Sequence, residues 1–132
     1  MGDLTAAELE PRTYWVTRAD LVAYAAASGD HNPIHQDEEI ARSVGLPGVI
    51  AHGMYTLALV ARYLDECGVA AADVAELGGK FVKPVVVVPA GVEVSMSASV
   101  RLQDDVRIIS VEVLCGGDKV FGPRGAQARL RA

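Results

Sequence analysis

The stretch of this chain richest in reactive side chains is Ser28-Gly29-Asp30-His31-Asn32-Pro33-Ile34-His35-Gln36-Asp37. Asp30 and His35 stand five positions apart, with Pro33 between them. On a helix they would point to different faces. On a loop pinned by Gly29 and Pro33 they can converge on one pocket, where a carboxylate beside an imidazole forms an acid–base pair. The same run also reads as an ordinary turn, with Asp30 and Asn32 bonding to nearby backbone. Types and spacing alone leave both readings standing. His31 and His35 are four apart, a spacing that on a helix can hold a metal. Pro33 interrupts that pair, and neither a general-base glutamate nor a third ligand accompanies it. No metal is therefore expected, and His31 is read as a solvated loop residue.

A second cluster is Ala51-His52-Gly53-Met54, at the start of an apolar segment. Read as a helix N-terminus, it offers first-turn N–H groups without intrahelical partners, and a dipole that favours negative charge. Gly53 would let a substrate oxygen approach that backbone, making an oxyanion site; it equally lets the chain turn into a helix. His52 is expected to cap the helix or shape its first turn. Cys67 and Cys115 lie far apart with no metal or disulfide spacing and read as small hydrophobes in a reducing compartment.

These side chains need elements to hold them. Residues 1–10 read as a tail, followed by a short strand, Arg12 to Val16. Thr17 reads as an N-cap with Asp20 completing a capping box, and Gly29 ends that helix. Acids at 37–39, Arg42, Gly45 and Pro47 describe a second, short helix. The longest helix is expected from Gly53 to Cys67. Between Met54 and Ala61 it carries no charge, so it must be covered nearly all round. Gly79–Val88 reads as β, interrupted by Pro84 and Pro89. From Val92 to Gln103 apolar and polar residues alternate, the pattern of a half-buried antiparallel strand. Asp104-Asp105 turns it into Val106–Cys115, and 116–118 make the next turn. The last strand carries Ala126, Ala128 and Leu130 on one face, its start bulged by Gly122, Pro123 and Gly125.

Helices first and strands after predict an α+β fold with an antiparallel sheet wrapped on the long helix. One curved sheet leaves one side of that helix open, so a dimer is expected. The chain has 132 residues, enough for one domain. Its 51% hydrophobic content argues against disorder. Its formal charge of −5 argues against nucleic-acid binding. No apolar run is long enough to span a bilayer. No signal peptide or myristoylation motif is read at the N-terminus, so a cytoplasmic location is expected.

The run Tyr24…Ser28-Gly29-Asp30-x-Asn32-Pro33-Ile34-His35-x-Asp37-x-x-x-Ala41, followed by Ala51-His52-Gly53-Met54, resembles the hydratase motif of the MaoC-like dehydratases. These are also called (R)-specific enoyl-thioester hydratases. Phe81, Pro84, Val85, Pro89 and Gly91 fit a later family stretch loosely, and the likeness runs from about Pro11 to Ala132. Within the family the chain looks most like the catalytic subunit of the mycobacterial-type fatty-acid-synthase dehydratase. The resemblance implies the hot-dog fold, paired into dimers. It implies reversible addition of water to a trans-2-enoyl thioester, giving a (3R)-3-hydroxyacyl thioester. Asp30 and His35 would be the catalytic dyad and the Gly53 N–H the oxyanion donor. Asn32, Ser28 and His52 would support them. No cofactor is implied. The thioester would be carried by coenzyme A or an acyl carrier protein, both bearing phosphate. Lys80 and Lys83, with Arg62 and Arg124 behind them, are the candidates to meet it. The partner would be a second copy or a related hot-dog subunit. Two other readings are a hot-dog acyl-thioester hydrolase and a subunit that acts only within a heterodimer. The interrupted run Gly122-Pro123-Arg124-Gly125 departs from the family pattern.

Overall fold

The computed structural model describes residues 8–131. The seven residues before it, most of the expected tail, lie outside the described residues. Strand β1 runs Glu8–Val16, earlier than the expected start at Arg12, because Glu8 and Leu9 already pair with Ser99 and Ala98. Helix α1 (Arg18–Ser28) opens on the expected capping box: Thr17 accepts from the Asp20 N–H, and Asp20 accepts from the Thr17 N–H. It ends at Gly29, whose φ of 79° is the left-handed conformation that favours glycine. A 3-10 turn (Pro33–His35) leads to α2 (Glu38–Ser43), capped by Asp37. The long helix α3 spans Gly53–Glu66.

Then come β2 (Val74–Gly78), β3 (Val92–Gln103), β4 (Val106–Cys115), the two-residue β5 (Asp118–Lys119) and β6 (Ala126–Leu130). The sheet order is β1-β3-β4-β6-β2, with β5 paired to β4, and every pairing is antiparallel. This is the hot-dog arrangement: one sheet curled against one long helix.

Alternation in β3 and β4 divides the sheet into two faces. Val94, Met96, Ala98 and Val100 are buried, as are Ile109, Val111 and Val113 opposite them. Each Val, Ile or Met side chain so removed from water contributes roughly 1.5–3 kcal/mol. Helix α3 meets this face with Thr56, Leu59, Val60, Tyr63 and Leu64, the spacing of one helical stripe. Its other side is apolar and, among the described residues, uncovered: Met54 is 63% exposed, and Ala58 and Ala61 are exposed beside it.

Two expectations need correcting. Gly79–Val88 is not a strand. It touches its neighbours through isolated bridges, Ile50 with Val86 and Phe81 with Phe121, because Pro84 and Pro89 cannot donate to a ladder. The strand on that edge is Val74–Gly78 instead. Nor is the start of β6 bulged: its register with β4 is unbroken, and Gly122–Gly125 form a turn in which the Gly125 N–H donates to the Gly122 carbonyl at 2.8 Å. Gly125 has φ 67°, and a Cβ there would lie 2.1 Å from the Val111 carbonyl oxygen. At the opposite edge, the β1 register slips between Leu9 and Arg12. The Glu10 carbonyl at that slip accepts from the Tyr63 hydroxyl at 2.9 Å, which fastens β1 to α3.

Candidate active site

The loop after α1 is built from side chains bonding two residues ahead. Ser28 Oγ accepts from the Asp30 N–H at 3.1 Å. Asp30 Oδ1 accepts from the Asn32 N–H, and Asn32 Oδ1 from the Ile34 N–H, both at 3.2 Å. These short bonds replace helical ones and let the chain reverse at Pro33. The turn drives His35 inward, to 7% exposure. Asp30 stays exposed, as does His31.

The segment before α3 supplies the other wall. The Ile50 N–H donates to the Ile34 carbonyl at 3.2 Å, and His35 Nδ1–H donates to the Ile50 carbonyl at 2.7 Å. A carbonyl only accepts, so the proton of neutral His35 sits on Nδ1 and Nε2 keeps its lone pair. His52, the N-cap residue of α3, is buried and makes no side-chain cap bond. Its Nε2–H donates instead to the Asp30 carbonyl at 3.1 Å, and its ring stacks on His35 at 3.8 Å between centroids. Asp30, His35 and His52 each place one polar atom within 4.8 Å of the other two.

A cavity of about 330 Å³ opens beside them, lined by His35, Gly53, Thr56, Phe81, Lys83 and Val85 among others. Gly53 is the first residue of α3, so its N–H and the next two are free of intrahelical bonds. A Cβ on Gly53 would lie 3.3 Å from the Phe81 ring, so glycine is what leaves room here.

The carrier candidates separate. Lys83 lines this cavity and pairs with Asp118 at 3.2 Å. Lys80 and Arg124 share an adjoining groove with Arg129, which sequence reading missed. Arg62 is not with them. It sits nine residues along α3 from Gly53, roughly 13 Å by the helical rise, pairing with Glu66 and covering the Tyr14 ring.

A carboxylate beside an imidazole, a set of free N–H groups and a largely apolar cavity lined by His35 and Gly53 are groups that can protonate and deprotonate a substrate and receive negative charge on its oxygen. The family model described as a MaoC like domain matches residues 4–116. The chain belongs to the MaoC-like family. This MaoC-like chain is 41% identical over 70 residues to 3-hydroxyacyl-thioester dehydratase X of Mycobacterium tuberculosis, covering 53% of the chain and 24% of that protein. It thus spans about a quarter of the length of that curated relative. Among solved structures, one titled MaoC-like dehydratase superposes with a TM-score of 0.85 at 34% identity, over 96% of this chain and 40% of that one. An (R)-hydratase from A. caviae involved in PHA biosynthesis gives 0.82 at 23% identity, over 99% and 98%. A ChsH1-ChsH2 complex from M. tuberculosis gives 0.82 at 19%, over 98% of both chains. The last two speak for the shared fold.

Sequence reasoning named Asp30, His35, His52 and Gly53; the fold gathers the first three and sets His35 and Gly53 on one cavity. It missed the Ile50 carbonyl, a backbone group that no residue type announces. It also missed the approach of Phe81 to Gly53, which only the folded chain creates.

Proposed function

We propose that this chain adds water reversibly across trans-2-enoyl thioesters, yielding (3R)-3-hydroxyacyl thioesters. The observation that carries the reading is the grouping of Asp30 with His35, whose side-chain polar atoms lie within 4.8 Å, where His35 lines a cavity that Gly53 at the N-terminus of α3 also lines. In the hydration direction, water bound between Asp30 and His35 gives up a proton to His35 Nε2 as its oxygen bonds to C3. The C2=C3 electrons move onto the thioester oxygen, where the Gly53 N–H stabilises the enolate. The dyad then returns a proton to C2 on the same face, and water has been added syn. Positioned proton transfer supplies about 10²–10⁴-fold and an oxyanion donor about 10²–10³-fold.

Asn32 and Ser28 hold the Asp30 loop. The thioester carrier, coenzyme A or an acyl carrier protein, approaches over Lys83, with Lys80 and Arg124 in the groove beside it. Arg62 drops out of that role. The working unit is a dimer with a second copy or a related hot-dog subunit, a reading supported by the uncovered face of α3. The free thiols Cys67 and Cys115 suit a reducing cytoplasm.

The deciding experiment is hydration of crotonyl thioester by the purified chain. Asp30→Asn and His35→Ala are expected to lose activity by at least about 10²-fold while remaining folded. Full activity in either sinks the dyad. The scheme needs no metal. Activity lost on treatment with a chelator and restored by a divalent cation would instead make Asp30, His35 and His52 metal ligands. Release of free thiol without hydration would mark a hydrolase.

A further inference from the structure

The reaction scheme leaves the chemistry of one buried histidine unspent. His52 is 2% exposed, and its Nδ1 has no hydrogen-bond partner among the described residues. A bare buried ring nitrogen carries a desolvation cost that a phenylalanine of similar shape would avoid. Capping does not account for the choice, since the side chain makes no cap bond to α3. What the ring does is join separate parts of the site. The hydrogen bonds within the Asp30 loop are local: Ser28 to Asp30 and Asp30 to Asn32. The bond from His52 Nε2–H to the Asp30 carbonyl carries that loop to the first turn of α3. The face of the same ring lies on His35, with planes 24° apart, and Tyr24 packs against it at 4.8 Å.

The two stacked rings hold their protons at opposite nitrogens. His35 spends Nδ1–H on Ile50 and leaves Nε2 bare. His52 spends Nε2–H on Asp30 and leaves Nδ1 bare. We propose that His52 is a positioning residue: its bond to the Asp30 carbonyl and its stack on His35 fix the spacing of the acid–base pair and tie both members to the oxyanion helix. The inference rests on the hydratase reading above, and His52 itself need not touch substrate.

Two variants and one spectrum test it. His52→Phe keeps an aromatic face and removes the N–H. His52→Gln keeps an N–H at a similar reach. His52→Phe is expected to lower kcat by about 10²-fold, the scale of a 1 Å misplacement, with KM for crotonyl thioester changed less than about twofold. His52→Gln is expected to recover at least about tenfold of that loss. Wild-type kcat in His52→Phe overturns the proposal. So does a loss in both variants that tracks only the fraction of folded protein. Nitrogen-15 NMR of the full-length wild-type chain separates this from the activity reading. Protonation of His52 at Nε2 and of His35 at Nδ1 supports the tie even if crotonyl thioester is not hydrated. The opposite tautomer at His52 overturns it.

Discussion

At His35, the bond to the Ile50 carbonyl determines which nitrogen carries the proton and which is left bare. Sequence reading could place an imidazole near a carboxylate, because Gly29 and Pro33 forbid a helix between them. It could not choose the tautomer, because the acceptor is a backbone atom fifteen residues away. Gly53 invites a sharper test. Adding a methyl there presses on Phe81 at 3.3 Å, beside the N–H that would hold the enolate. Gly53→Ala is therefore expected to cut kcat by about tenfold or more. The melting temperature should not fall, since alanine is the better helix former. Phe81→Leu in the same chain should restore part of the rate. Steady-state kinetics beside a thermal melt checks both halves.

At the level of elements, alternation made β3 legible with its observed limits, because one face is core and the other is solvent. The edge was not legible. Val74–Gly78 lies at the margin of the sheet with no fully buried residue, so it shows no hydrophobic stripe. Gly79–Val88 is apolar because it lines the cavity, and that apolarity imitated a strand. The turn Asp104-Asp105 was legible as a turn. Both residues adopt positive φ, 53° and 63°. Left-handed backbone costs an L-residue roughly 1–2 kcal/mol, less for Asp, and Asn-Gly is the favoured pair in such hairpins. Replacing Asp104-Asp105 by Asn-Gly should stabilise the chain by about 1 kcal/mol in chemical denaturation.

The far end of α3 offers a pH test. Tyr14 OH donates to Glu66, which Arg62 also contacts, and both hold the Glu66 carboxyl below its ordinary value. A carboxyl held low stabilises the fold fully above the unfolded-state pKa, and that contribution fades as pH falls through the folded value. Tyr14→Phe should therefore lose stability relative to wild type at neutral pH. The gap should narrow as the pH drops below the ordinary 4.5 of Glu66. A series of melts from pH 7 to about pH 3 reads this directly.

For the whole molecule, the apolarity of α3 already announced that its own sheet could not cover it. The structure gives that deficit an address: Met54, Ala58 and Ala61, on the side away from the core. Asp30 is also exposed in the single chain, although the chemistry proposed for it would gain from a site closed to bulk water. Met54→Glu is accordingly expected to halve the mass measured by light scattering and to lower hydration sharply, while the circular dichroism of the chain persists. An unchanged mass would place the partner elsewhere.

The two margins of the sheet differ. On β1, Pro11 has no N–H to give, and Glu8, Glu10 and Arg12 line the strand where its register slips. On β2 the register also slips, between Val74 and Glu76, but no proline interrupts Val74–Gly78. A fibre needs two sticky ends, one to hold the last unit and one to receive the next. This sheet has one open end and one stoppered end. Strand addition at β2 can join two copies and then has nowhere to continue, so growth along the sheet is self-terminating.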